Sequence, residues 1–142
     1  YGGIMVNGGW DNHIENNIFA NGRDHLIYLN NYLGKYKGNK MLRNVIYSDL
    51  DPPGNVRVTR WQPRLDFLID YNLYWDVSGQ PIRFLTMPLA EWQKNGLDQH
   101  SVVADPMFKD PDRDDFRLRP ESPAWKLGIR RIDTGTVGPR KQ

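Results

Sequence analysis

The sequence contains no cysteine. Disulfides, thiolate metal sites and a cysteine nucleophile are thereby excluded, although exported proteins also do without cysteine and the compartment stays open. An excess of one charge is missing too. Lys and Arg number 19 against 17 Asp and Glu, a formal net charge of +2, too small for a phosphate-binding surface, and with no basic-aromatic motif a nucleic-acid partner is not expected. The basic residues that do gather late, Arg130, Arg131, Arg140 and Lys141, read as a solvated tail. No run approaches the roughly 18 apolar residues of a membrane span, and no charged-then-apolar leader stands at the start. The chain begins at Tyr1 rather than Met and reads as a segment of a longer protein, so the missing leader says nothing about the parent. Histidine is scarce: His13, His25 and His100 lie far apart, without metal-ligand spacing.

What remains is a chain of 142 residues, 39% hydrophobic and 25% charged, the composition of one folded domain. Its organising feature is a repeat. Ile14-Glu15-Asn16-Asn17-Ile18-Phe19 recurs as Leu42-Arg43-Asn44-Val45-Ile46-Tyr47 and as Ile69-Asp70-Tyr71-Asn72-Leu73-Tyr74, with starts 28 and 27 residues apart. A period in the twenties carrying short β-rich runs is the signature of a solenoid. Each copy reads as two strands meeting at a corner: the first and fifth positions point into a core, and Asn takes the bent, left-handed backbone. Stacking at about 4.8 Å would put Glu15, Arg43 and Asp70 in one column of alternating sign.

Ile4-Met5-Val6, followed by the turn signal Asn7-Gly8-Gly9, reads as a strand whose counterparts are Ile27-Tyr28-Leu29 and Val56-Arg57-Val58. Three strands per coil give a three-sided parallel β-helix with an aliphatic interior. The outward positions of this face are Met5, Tyr28 and Arg57, then Asn7, Asn30 and Thr59. Loops over 30–40 and 48–55 are long enough to rise above it. Beyond Trp75 the repeat stops, and Pro88 to Gly96 predicts a short helix with Leu89 and Trp92 on one face, suited to covering the end of the core. Ser101 to Ala104 and Asp114 to Arg119 read as strands, and Ser122 to Gly128 as a turn with a short helix or extended piece.

Gly8-Gly9-Trp10-Asp11-Asn12 leading into the first corner, Asp70-Tyr71-Asn72-Leu73-Tyr74-Trp75, Leu89-Ala90-Glu91-Trp92 with Gly96 and Asp98, Val103-Ala104-Asp105-Pro106-Met107-Phe108, and Asp115-Phe116-Arg117-Leu118 with Ser122-Pro123-Ala124 and Gly128 are a specific set. From Gly2 to about Gly138 the chain resembles the C-terminal end of right-handed parallel β-helix repeat proteins of the pectate-lyase-like superfamily. The expected fold is all-β: a right-handed parallel β-helix of about three coils over 1–80, a C-terminal cap over 81–131 with a helix near 88–95, and a tail over 132–142. The resemblance implies an exported protein, secreted or at the cell surface or in the periplasm. It implies action on polysaccharide or oligosaccharide by lyase or glycoside hydrolase chemistry, with noncatalytic glycan binding or surface assembly as the alternative.

Lyase chemistry needs a group that neutralises a uronate and a base that takes its proton; hydrolysis needs two carboxyl groups about 5 to 9 Å apart. Asp24 precedes the Ile27 strand, and Asp49 and Asp51 precede the Val56 strand, so both sets fall at one edge. Asp24, His25, Asp49, Asp51 and Arg57 are the catalytic candidates, and Tyr28, Arg60 and Trp61 the substrate-binding ones. Asp49 and Asp51 offer oxygen ligands for Ca²⁺, though Asp ahead of Pro52-Pro53-Gly54 is equally a turn former; no metal ligand is assigned. His13 and His100 read as hydrogen-bonded structural residues. Trp10, Trp61 and Trp75 stand near turns where a ring can stack on a sugar or seal the core, whereas Trp92 and Trp125 read as cap packing. The first coil should need a cover, either more N-terminal coils or another copy.

Overall fold

The computed structural model describes residues 3–22, 25–30, 36–49, 56–59, 66–84 and 86–133, apart from the side chains of Tyr36 and Arg57. Strands run in short pieces: β1 (Ile4–Val6), β2 (Gly9–Trp10), β3 (His13–Glu15), β4 (Ile18–Phe19), β5 (Ile27–Asn30), β6 (Tyr36–Lys37), β7 (Asn39–Leu42), β8 (Val45–Ser48), β9 (Val56–Thr59), β10 (Phe67–Asp70), β11 (Leu73–Asp76) and β12 (Arg83–Phe84). The remaining elements are β13 (Met87–Pro88), helix α1 (Leu89–Gln93), β14 (Val102–Val103), β15 (Phe108–Asp110) and β16 (Asp115–Leu118), with 3-10 turns at Pro111–Arg113 and Pro123–Leu127. The protein is thus all-β, and most of its pairing is parallel.

The chain visits three sheets in a fixed rotation. The first sheet has the order β1-β5-β9-β12-β13, the second β3-β7-β10 and the third β4-β8-β11-β14. In the first, Ile4 pairs with Ile27 and Ile27 with Val56, the columns that the apolar spacing predicts. Ile27, Leu29, Val56 and Val58 point inward and are buried, together with Ile14, Met41 and Ile69 from the second sheet. β-Branched and aliphatic residues at alternate positions leave one side of each strand apolar, and burial of that side joins the sheets.

At the corners the register differs by one residue from the expectation. Ile14 lies beside Met41 rather than Leu42, and Ile18 beside Val45 rather than Ile46. The spacing from Asn17 to Asn44 is 27 and from Asn44 to Asn72 is 28. The reason is chemical: the side-chain amides, not the apolar pattern, fix the alignment. Asn16, Arg43 and Tyr71 take the left-handed conformation at the corner, with φ of 58°, 55° and 57°, and the residue after each is the Asn that turns inward. The Asn17 backbone N–H and Nδ2 both donate to Asn44 Oδ1 at 3.0 Å. The Asn44 N–H and Nδ2 donate in turn to Asn72 Oδ1 at 2.9 and 3.1 Å.

The ladder ends on Asp98. Asn72 donates through its N–H to Ser101 Oγ at 2.8 Å and through Nδ2 to Asp98 Oδ1 at 3.1 Å, while Ser101 Oγ donates to Asp98 Oδ1 at 2.5 Å. The Tyr74 hydroxyl lies 3.2 Å from both carboxylate oxygens, and Trp92 Nε1 donates to Oδ2 at 2.9 Å. Trp92 is wholly buried and stacks on Phe84, with ring centroids 5.0 Å apart. So α1 closes the core end, anchored by its indole on the last rung of the ladder.

The fifth position of the repeat faces the main core in the second copy, at Ile46, but not in the first and third, at Ile18 and Leu73. Ile18, Val45 and Leu73 point out of the third sheet and are covered by Phe108, Phe116, Leu118, Ala124 and Ile129; Phe19, Ile46 and Tyr74 take the inward places. Strands β15 and β16, an antiparallel pair, lie over that outer face. Because the second copy is displaced by one residue against the other two, strand alternation puts its fifth position inside and theirs outside.

Two outcomes follow for stability. Asn44→Leu strands the Asn17 donors and half of what Asn72 Oδ1 receives, and should cost about 3 kcal/mol in urea unfolding, more than Asn17→Leu at the end of the ladder. The second concerns Asp98, whose complete burial raises its carboxyl pKa from the usual range while the Ser101, Asn72, Trp92 and Tyr74 hydrogen bonds oppose the rise. A raised pKa means that the folded state holds this proton more tightly than the unfolded chain. Its contribution is therefore greatest below the ordinary carboxyl pKa of about 4 and lost as the pH climbs through the folded value. The stability of the wild type relative to Asp98→Asn, followed by urea unfolding, should fall as the pH rises from about 3 and then level off; a pH-independent difference would count against this account.

Candidate functional site

The outer face of the first sheet carries a row of polar groups built by the parallel register. Asn30 stands beside Thr59 and Tyr28 beside Arg57, with Met5 next to Tyr28 in the layer before. Asn30 Nδ2 donates to Asn7 Oδ1 at 2.7 Å, and Thr59 Oγ1 donates to Asn30 Oδ1 at 2.8 Å. Thr59 and Tyr28 hydroxyls are 3.2 Å apart. Thr59 has one proton and gives it to Asn30, so the Tyr28 phenol is the donor in that contact. The His25 ring packs edge-on against Tyr28, with centroids 5.1 Å apart and an interplanar angle of 73°. Amides and hydroxyls repeating at about 4.8 Å along the stack suit a ligand that presents several hydroxyls in a line. Met5, 52% exposed, supplies an apolar surface beside them.

Other groups stand elsewhere. Trp10 is 67% exposed with the Lys37 ammonium 6.0 Å from its ring centroid, next to the backbone pairing of β2 with β6. Trp75 is half-buried, and Trp125 donates its indole N–H to Arg119 O at 2.9 Å. Asp49 lines an open cleft of about 280 Å³ with Asn21, Tyr47, Val77, Pro111, Asp112 and Asp114. Asn21 Nδ2 donates to Asp114 Oδ1 at 3.1 Å across it. Burial raises the Tyr47 phenol pKa, and the negative charges of Asp112, Asp105 and Asp49 push it further in the same direction.

The sequence candidates therefore fall into two groups and a remainder. His25 and Tyr28 meet, and Arg57 is beside Tyr28 along the backbone. Asp49 belongs to the cleft with Tyr47. Asp24, Asp51, Arg60 and Trp61 lie outside the described residues, as does the side chain of Arg57. Among the described residues, no group of three or more His, Asp or Glu is placed to hold a metal ion.

One constellation escaped the sequence reading. His100 Nδ1 lies 2.7 Å from Asp70 Oδ2, and Asp70 Oδ1 accepts the backbone N–H groups of His100 and Tyr71 at 2.7 and 2.8 Å. The imidazole is stacked on Tyr71, centroids 4.7 Å apart, and the Arg43 guanidinium lies 5.3 Å from the centroid of the same phenol ring. Arg43 in turn binds Glu15 at 3.1 Å. The alternating column Glu15, Arg43, Asp70 gave only part of this, since Arg43 reaches Glu15 from the corner and not from the strand. Thirty residues separate His100 from Asp70, and only the fourth layer of the third sheet brings them together.

No helix among the described residues is long and apolar enough to cross a membrane. No family model, curated protein or solved structure matches the chain.

The cleft offers a direct electrostatic check. Replacing Asp112 with Asn removes the larger of the charges acting on Tyr47, so the Tyr47 titration, followed by the ultraviolet phenolate signal against a Tyr47→Phe blank, should move to lower pH. An unmoved curve would mean that burial alone sets it.

Proposed function

We propose that this chain is the C-terminal part of an exported right-handed parallel β-helix of the pectate-lyase-like kind, which engages polysaccharide along the outer face of its first sheet. The observation that carries the reading is the row Asn7, Asn30, Thr59 and Tyr28, hydrogen-bonded from layer to layer. A sugar chain is an extended array of hydroxyls with apolar C–H faces, and it matches a linear set of amides and hydroxyls flanked by a thioether and an aromatic ring. In an enzyme of the lyase or glycoside hydrolase type this face is a wall of the substrate cleft. His25 beside Tyr28 is the acid or base to test first; Asp24, Asp49, Asp51 and Arg57 stay as the other catalytic candidates, and Arg60 and Trp61 as the candidate substrate contacts.

A noncatalytic glycan-binding module is the second reading, favoured by one feature: the groups that make up the row are neutral and bonded to one another. In that case the face holds sugar and turns nothing over.

Native electrophoresis through gels containing neutral or uronate-rich polysaccharide tests the shared claim. Migration of the chain should be retarded by at least one polymer, and Tyr28→Phe with Thr59→Ala should weaken the retardation about tenfold, the effect of losing one to two net hydrogen bonds. Absence of retardation by any polymer, or retardation indifferent to the double variant, would sink the proposal. If binding is present, release of reducing ends or of unsaturated uronate separates enzyme from binder, and His25→Ala should abolish turnover while binding persists.

A further inference from the structure

The amide-to-amide hydrogen bonds in the corner ladder all run the same way. Each Asn gives its N–H and one Nδ2 proton to the next layer, and Asn44 and Asn72 offer their Oδ1 to the layer before. The second Nδ2 proton of each of these two returns to a backbone carbonyl of that earlier layer, Ile14 O and Met41 O. A second pair repeats the pattern, with the Asn12 N–H and Nδ2 donating to Asn39 Oδ1, both at 2.9 Å, and Asn39 Nδ2 returning to Gly9 O. At one end the donors run out into Ser101 and Asp98. At the other, the oxygens of Asn17 and Asn12 receive no donor among the described residues. The strands of that layer, β1, β3 and β4, are each the outermost of their sheet, paired on one side. Ile4 and Phe19 there are only partly buried against the main core.

We infer that this end is a docking edge for one more layer of parallel strands, supplied by polypeptide running ahead of Ile4 and carrying a side-chain amide over Asn17 and another over Asn12. The inference rests on the reading of the sheets as coils of a β-helix, not on the sugar-binding face. The polarity of the ladder decides the occupant. A second copy docked head to head would bring acceptor against acceptor, leaving both sets of oxygens unpaired and desolvated. Docked head to tail it would present its opposite end, where β13 pairs antiparallel to β12, α1 lies across the core and the ladder donors are already taken by Asp98 and Ser101. Neither arrangement brings a ladder amide donor to Asn17. A parallel layer supplies two at each Asn, its backbone N–H and its amide, in the geometry that Asn17 itself uses on Asn44. The added strands also satisfy the free sides of β1, β3 and β4, which otherwise template association.

The chain contains the material for the test. Ile4 pairs with Ile27, twenty-three residues on, so a protein in which residues 4–26 occur twice in succession adds one layer with the same path. Hydrogen exchange should be fast for β1, β3 and β4 in the original chain relative to β7 and β8. In the extended chain the inner copies of these strands should exchange at least about tenfold more slowly, with a higher Tm. Asn17→Ala in the inner copy should remove the slowing at the corner. Unchanged exchange and Tm in a folded extended chain would overturn the inference. So would a discrete dimer of the original chain with β1, β3 and β4 protected, which would assign the edge to a second copy. Should the extended chain aggregate, the original chain decides: a monomer whose β1, β3 and β4 amides are as slow as those of β7 and β8 has no open edge. The polysaccharide gels probe a different face, so sugar binding can fail while this inference stands; a closed edge would leave sugar binding untouched but would remove the reading of the chain as the C-terminal part of a longer β-helix.

Discussion

A buried carboxylate at the end of a line of amides holds this fold in register. Each rung from Asn17 to Asn44 to Asn72 points its N–H groups toward Asp98, so the dipoles add along the line and meet the acceptor oxygens of its carboxyl group. Water is absent from such a place only if every polar atom has a partner, and Asn44 and Asn72 are both wholly buried. A slip of the apolar columns by one residue would turn the buried side of each strand outward, and a slip by two would keep aliphatic against aliphatic. The amides allow neither, because a shift would leave each donor without its acceptor.

The third sheet shows what this alignment achieves. Ile46 and Tyr74 go inward and Val45 and Leu73 outward, and both faces are covered, the inner one by the aliphatic columns and the outer one by β15, β16 and the turn at Pro123–Leu127. Phe108, Phe116 and Tyr47 contact one another edge to face over that outer surface, a geometry that adds to area burial alone. The first sheet keeps its outer face for polar groups, which is why a ligand face is sought there and not on the third sheet.

Much of the architecture was legible in the sequence because period-two alternation is strong in Ile4 to Val6, Ile27 to Leu29 and Val56 to Val58, and their pairing follows from it. The helix with Trp92 was legible from Pro88, Gly96 and the three-residue spacing. The corner was misaligned because the column that matters is Asn17, Asn44 and Asn72, and matching apolar and aromatic residues instead placed Asn44 beside Asn16. Alignment on the amide would have given the observed register. Of the site, the Tyr28, Asn30 and Thr59 face was legible from the same alternation. The meeting of Asp49 with Asp112 and Asp114 was not, since β15 and its following turn come back over the third sheet by a path that no local pattern encodes.

Late residues also reach the first layer. Arg130 N–H donates to Asn16 Oδ1 at 2.6 Å across 114 residues of sequence, and Asp114 accepts from Asn21. In stacks where each layer touches only its neighbours, layers form and melt nearly independently, one after another. Here the last segment is a strap over the earlier ones, so the loss of one layer loosens contacts in all of them and unfolding should be shared. During synthesis, the outer face of β4 and β8 is complete only after Ile129 has left the ribosome, and until then Ile18, Val45 and Leu73 form an uncovered apolar stripe that is open to chaperones and to misassociation.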